Sequence, residues 1–135
     1  MNKRIFICVA IVLAVIVIVA VSIIMYFHTN KQPDIMEFDM IDYQWEIENF
    51  SFEGNVGPID DANTAVEKAK DLWLEKYSTV NGQPYDPIKR RKIEVLFDSN
   101  NDCWLIKSVS NSNVKASTPH AMIQKDGKVI AVWMG

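Results

Sequence analysis

Cysteine is nearly missing from this chain: Cys8 sits inside a hydrophobic run and Cys103 is the only other one in 135 residues. A lone cysteine beyond the run excludes an intramolecular disulfide there, so stability has to come from a core. Histidine is equally scarce. His28 and His120 lie in separate regions with no clustered cysteine beside them, which leaves no metal-site spacing. No Gly-x-Ser-x-Gly elbow surrounds any serine, and this removes the commonest signal of nucleophilic catalysis. Positive charge is also missing where it would be noticed. From Gln32 to Asp61 there are nine acids (Asp34, Glu37, Asp39, Asp42, Glu46, Glu48, Glu53, Asp60 and Asp61) and no Lys or Arg. Of the 14 basic residues Lys3 and Arg4 precede the hydrophobic run, so the remainder carries 12 against 17 acids, a net charge of −5. Nucleic-acid binding is disfavoured by that balance.

What the sequence has in abundance is the run IFICVAIVLAVIVIVAVSIIMYF, Ile5 to Phe27, with no charged residue. At roughly 1.5 Å per residue it reaches about 34 Å, enough for a hydrocarbon core of about 30 Å. Lys3 and Arg4 ahead of it, with Ala20 and Ser22 as a small pair, also fit a signal peptide, but the apolar stretch outlasts a signal h-region of about 7 to 15 residues. The reading is an uncleaved transmembrane anchor. Cys8 follows bulky Ile7 and reads as a membrane-facing apolar residue. Positive charge before the helix and only Lys31 close after it orient the amino terminus inside and residues 28–135 outside the cytoplasm.

The polar HTNKQPD is a tether. In MEFDMIDYQWEIENFSFEG, Tyr43, Trp45 and Ile47 alternate with Gln44, Glu46 and Glu48, the period of a half-buried strand, although MEFDMID also fits a helical turn. Pro58, Asp60 and Asp61 mark a helix start. Ala62, Ala65, Val66, Ala69, Leu72, Trp73 and Tyr77 then draw one apolar face at the 3.6-residue period. Strands follow at 92–97 and 103–110 around a DSNND turn, and HAMIQ and KVIAVWM flank an Asp126-Gly127 hairpin after the loop NSNVKAST. The fold class is therefore α+β: an N-terminal transmembrane helix (1–27), a tether (28–35), and one small domain (36–135) with a main helix packed on a curved antiparallel sheet of three to four or more strands.

No residue set carries chemistry. Asp60 and Asp61 are adjacent, about 100° apart on a helix, and read as caps, not as an acid/base pair. His120 reads as structural or surface, and Cys103 before Trp104 as inert core. Lys89, Arg90, Arg91 and Lys92 fit an anion patch or, more simply, a solvated strand edge, with internal pairing to the acidic run as a further expectation. Acids interleaved with Phe38, Tyr43, Trp45, Phe50 and Phe52 fit two readings: a solvated, half-buried segment, or a negative face offered to a basic partner with aromatic anchors.

The helix GPIDDANTAVEKAKDLWLEKYS, the QPYDP that follows, the DCWLI strand and the ending TPHAMIQKDGKVIAVWMG together resemble YbbC/YhhH-type immunity proteins with a nuclear-transport-factor-2-like fold, over residues 57–135. The chain departs from that pattern where Lys107, Ser108 and Val109 continue the strand and where VKAST stands in place of paired glycines. The resemblance implies a non-enzymatic protein that binds and neutralises a cognate bacterial polymorphic toxin by surface occlusion, with no cofactor, metal or small-molecule ligand. Charge places partner binding on Asp39, Asp42, Glu46 and Glu48. Peptidase-modulating domains of the PepSY type share an anchor, an Ala-rich helix and an Asp-Gly-Lys-Val hairpin. A pocket enzyme of the same fold would use Trp73, Trp104 and Trp133 around one buried acid.

The anchor reading has a direct check. An amino-terminal epitope tag is expected to remain on full-length protein in the membrane pellet after alkaline carbonate washing, and a processed species without the tag would show cleavage instead.

Overall fold

The computed structural model describes residues 3–29, 31–111 and 116–135, with the backbone alone at 4, 6, 28 and 29. It divides into two compact units, Met1–Gln32 and Pro33–Gly135. The first is helix α1, Lys3–Thr29. Its stretch Ile7–Phe27 has mean hydropathy 3.5 and none of it is buried, so it is long and apolar enough to cross a membrane. Ser22 turns its hydroxyl back on the Ile18 carbonyl at 2.8 Å, satisfying inside the helix the one polar side chain of its middle turns.

The second unit begins with strand β1, Ile35–Glu37. A 3-10 turn, Met40–Tyr43, then runs into the short helix α2, Gln44–Asn49. This corrects the expected strand. The acids are local to the helical turns, and the buried side is set by Tyr43, Ile47 and Phe50 at steps of four and three, which pack on the sheet. Alternation over six residues cannot distinguish that pattern from a strand.

Helix α3, Ala62–Tyr77, matches expectation. Asp61 is its cap, with extended backbone and a carboxylate that accepts from the Thr64 amide at 2.8 Å. Asp60 is exposed and makes no cap bond. Ala62, Ala65 and Ala69 are fully buried and let the helix approach the sheet closely, while Leu72 and Trp73 fill the space beyond them. After it, β2 (Thr79–Val80) and β3 (Gln83–Pro84) form a hairpin over Asn81 and Gly82, both at positive φ. Asn-Gly is the strongest short hairpin signal, since both residues tolerate positive φ.

Four long strands complete the domain: β4 (Arg91–Asp98), β5 (Cys103–Ser110), β6 (Pro119–Gln124) and β7 (Val129–Met134). They pair antiparallel in sequence order, with a bulge at Met122/Ile123, and β1 adds in parallel to β4, so the five-stranded sheet is mixed. Of the expected loop 111–118, residues 112–115 lie outside the described residues.

Strand alternation divides the core between two faces. Val95, Trp104, Ile106, Ala121, Ile123, Val129 and Val132 meet α3, whereas Leu96, Cys103, Leu105, Met122, Ala131 and Trp133 meet Phe38, Met40, Tyr43, Ile47 and Phe50. The outer edge of β7 is covered by residues 50–56. Phe52 donates its amide to the Ile130 carbonyl, Val132 to Phe50, Val129 to Gly54 and Val56 to Gly127. Gly127 (φ +93) turns the last hairpin, and any side chain there would collide with the Gly57 backbone.

The capping geometry separates the two adjacent acids. Asp61→Ala is expected to lower stability by about 1 kcal/mol in urea unfolding followed by tryptophan fluorescence, and Asp60→Ala to change it by less than about 0.5 kcal/mol.

Candidate functional site

Each candidate residue is positioned by the 3-10 turn and α2. Asp39 precedes the turn and its carboxylate accepts from the Ile41 amide at 3.1 Å. Glu48 accepts from the Gln44 side-chain amide at 3.0 Å, one helical turn earlier. Asp39 and Glu48 come together on one open groove of about 430 Å³, lined also by Met40, Ile41, Gln44, Ile47 and Asn101. Asp42 and Glu46, also a turn apart, do not line it.

Between the two acid pairs runs an apolar ridge. Ile41 is 68% exposed and Trp45 64%, on the solvent side of the turn and helix, whereas Tyr43 and Ile47 pack on the sheet. Trp45 is held there by an edge-on contact with Phe50, ring centroids 5.6 Å apart. The sequence reading put Trp45 on the buried side because it took the segment as a strand. Read with a 3.6-residue period, the same letters put it outside.

The acids keep their charge unneutralised. Among the described residues the one ion pair is Lys70–Glu67 on α3, so the expected pairing of Lys89–Lys92 with the acidic run is not formed. Arg91 instead donates to the Tyr85 hydroxyl at 2.8 Å and to the Ser117 carbonyl at 3.0 Å, tying the loops at one end of the sheet. Lys107 lies over the Tyr43 ring and Lys76 over Phe52, both close to the segment yet paired with aromatic faces.

The turn and helix are fixed to the sheet by a buried carboxylate. Asp98, 1% exposed, accepts from the Met40 amide at 2.9 Å, the Asn100 and Asn101 amides at 2.8 and 3.1 Å, and the Asn101 side chain at 2.7 Å. Burial pushes its carboxyl up, but these hydrogen bonds outweigh burial and hold it below the usual carboxylate range. All its bonds are structural, which leaves it no free role as an acid or base.

The remaining candidates are accounted for by packing. Trp73 and Trp104 belong to the α3 side and Trp133 to the opposite side, so the three do not line one pocket, which corrects the arrangement expected for an enzyme. Cys103 is fully buried, its thiol pushed up to about 12 by burial and by the Asp98 carboxylate. His120 stands edge-on to Trp133, with centroids 5.1 Å apart, and its Nε2 is 3.3 Å from the Thr118 hydroxyl, while Nδ1 is buried without a partner. Burial, then the Lys107 charge, lower its pKa to about 4. No three His, Cys, Asp or Glu side chains cluster to hold a metal among the described residues. The side chain of His28 lies outside them.

These shifts fix an acid-stability profile. His120 is held neutral in the fold, so the unfolded chain takes up its proton first, and stability is expected to fall as pH drops from about 6.5 towards 4. Asp98 adds a second loss, below the unfolded carboxylate value of about 4, because its folded pKa is depressed. Melting temperatures of wild type and His120→Gln across pH 7 to 3 check the assignment: the variant should lose the upper step and keep the lower one.

Comparison with known proteins brings no assignment, since no family model, curated protein or solved structure matches this chain.

Proposed function

We propose that this protein is a membrane-anchored immunity protein that binds and neutralises a cognate bacterial toxin by covering its surface. In this reading α1 crosses the cytoplasmic membrane once with its amino terminus inside, and the domain of residues 33–135 works outside. The observation that carries it is the Ile41/Trp45 ridge, exposed and flanked by Asp39, Asp42, Glu46 and Glu48. Exposed tryptophan is costly to leave in water and is among the residues that dominate binding energy once a partner covers it. Carboxylates on both sides speed encounter with a basic surface and disfavour acidic ones.

The mechanism is occlusion. The ridge supplies the desolvated centre, the acids supply orientation, and no bond in the partner is made or broken. Supporting the immunity assignment is the resemblance in sequence of residues 57–135, from the capped helix to the Asp126-Gly127 hairpin, to YbbC/YhhH-type immunity proteins.

Co-expression with the toxic product of the adjacent gene tests the reading, and the chain is expected to restore growth. Reversing Asp39, Asp42, Glu46 and Glu48 to Lys together is expected to abolish protection and weaken binding at low salt by about a hundredfold or more, since like charges across an interface cost several kcal/mol. Recovery of a peptidase and no toxin by pull-down would favour a peptidase modulator.

A further inference from the structure

We infer that the groove beside the ridge receives an arginine or lysine side chain from a basic protein partner; this rests on the binding role proposed above and names the chemistry of its contact. The groove is lined by apolar Met40 and Ile47, by the exposed Ile41 of the ridge, by the carboxylates of Asp39 and Glu48, and by Gln44 and Asn101. That combination fits a long side chain whose methylenes lie on apolar surface while its cationic head reaches oxygen acceptors.

The two carboxylates have capacity to spare. Asp39 uses Oδ1 on the Ile41 amide and Glu48 uses Oε1 on Gln44, both uncharged donors, and neither has a cationic partner. A bare metal ion is a poor fit, because two acids and two amides on an open wall do not enclose one and no third acid or His joins them. An anionic lipid headgroup would be repelled by the same charge. A basic protein surface satisfies both halves of the site: its cation enters the groove and its apolar neighbours cover Ile41 and Trp45.

The groove is also pre-formed. Of its lining residues, Met40 is bound through its amide to Asp98, and Asn101 is bound to the same carboxylate. A ligand would not pay to order either one.

The test uses the full chain in micelles of an uncharged detergent and two fluorescein-labelled probes, acetyl-Arg-Leu-Arg-Leu-Arg-amide and the same peptide with Glu for Arg. Anisotropy is expected to show binding of the arginine peptide alone. Asp39→Asn with Glu48→Gln should weaken it about tenfold, as expected for two surface charge contacts. Both substitutions keep the acceptor oxygens used by Ile41 and Gln44, so the fold is left intact. Equal loss from Glu67→Gln with Glu75→Gln on α3 would show charge attraction without a site and overturn the inference. So would equal binding of the glutamate peptide, or self-association of the chain that the Asp39/Glu48 pair of substitutions abolishes, which would assign the groove to a second copy. Growth protection separates the two proposals: peptide binding without protection sinks the toxin reading alone, and protection undiminished in the doubly substituted chain sinks the groove alone.

Discussion

The fold of the acidic segment depends on one buried carboxylate. Asp98 ends β4, yet its oxygens close the turn into β5 and hold the amide that starts the 3-10 turn, 58 residues earlier in the chain. A buried carboxylate is expensive, and it is tolerated here because four donors surround it. Without that tie the segment 38–49 would rest on the sheet mainly through its apolar side chains, with a high density of like charge pushing it towards solvent.

Two devices then divide the work between the sheet's faces. On one side α3 packs through its alanines along most of its length and makes polar contact with a strand at its last turn. On the other, aromatic side chains from the 3-10 turn and α2 cover only part of the face, with Tyr43 tilted on Trp133 and Phe38 edge-on to Tyr43. The link between the two sides is the stretch 50–59, which seals the edge of β7 and crosses Gly127 at Gly57 with backbone against backbone. Lys76 and Tyr77 complete the seal by donating to the Val132 carbonyl, and burial lowers the lysine and raises the tyrosine.

Much of this was legible in the letters. The anchor, α3 with its apolar face, the β4–β5 pair and the Asp126-Gly127 hairpin each carry a local pattern strong enough to read without tertiary context. What could not be read is non-local. The parallel pairing of β1 depends on strand partners 60 residues away, and helix was favoured over strand at 40–49 by Tyr43, Ile47 and Phe50 meeting the sheet together. Asp98 illustrates the division: Asp-Ser-Asn-Asn announces a turn in which Asp bonds its own backbone, while nothing near it announces Met40. The acids stand together in the sequence as one segment, but that Asp39 and Glu48 share a groove follows only from the helical turn.

The same separation has an evolutionary side. Ile41, Asp42, Trp45 and Glu48 are exposed on a turn whose inward residues and buried tie carry its stability. Outward positions of this kind accept substitution at little cost in folding, so the lineage is free to rewrite the surface while inheriting the scaffold unchanged. The residues free to change and those the fold cannot spare thus lie on opposite sides of one short helical segment.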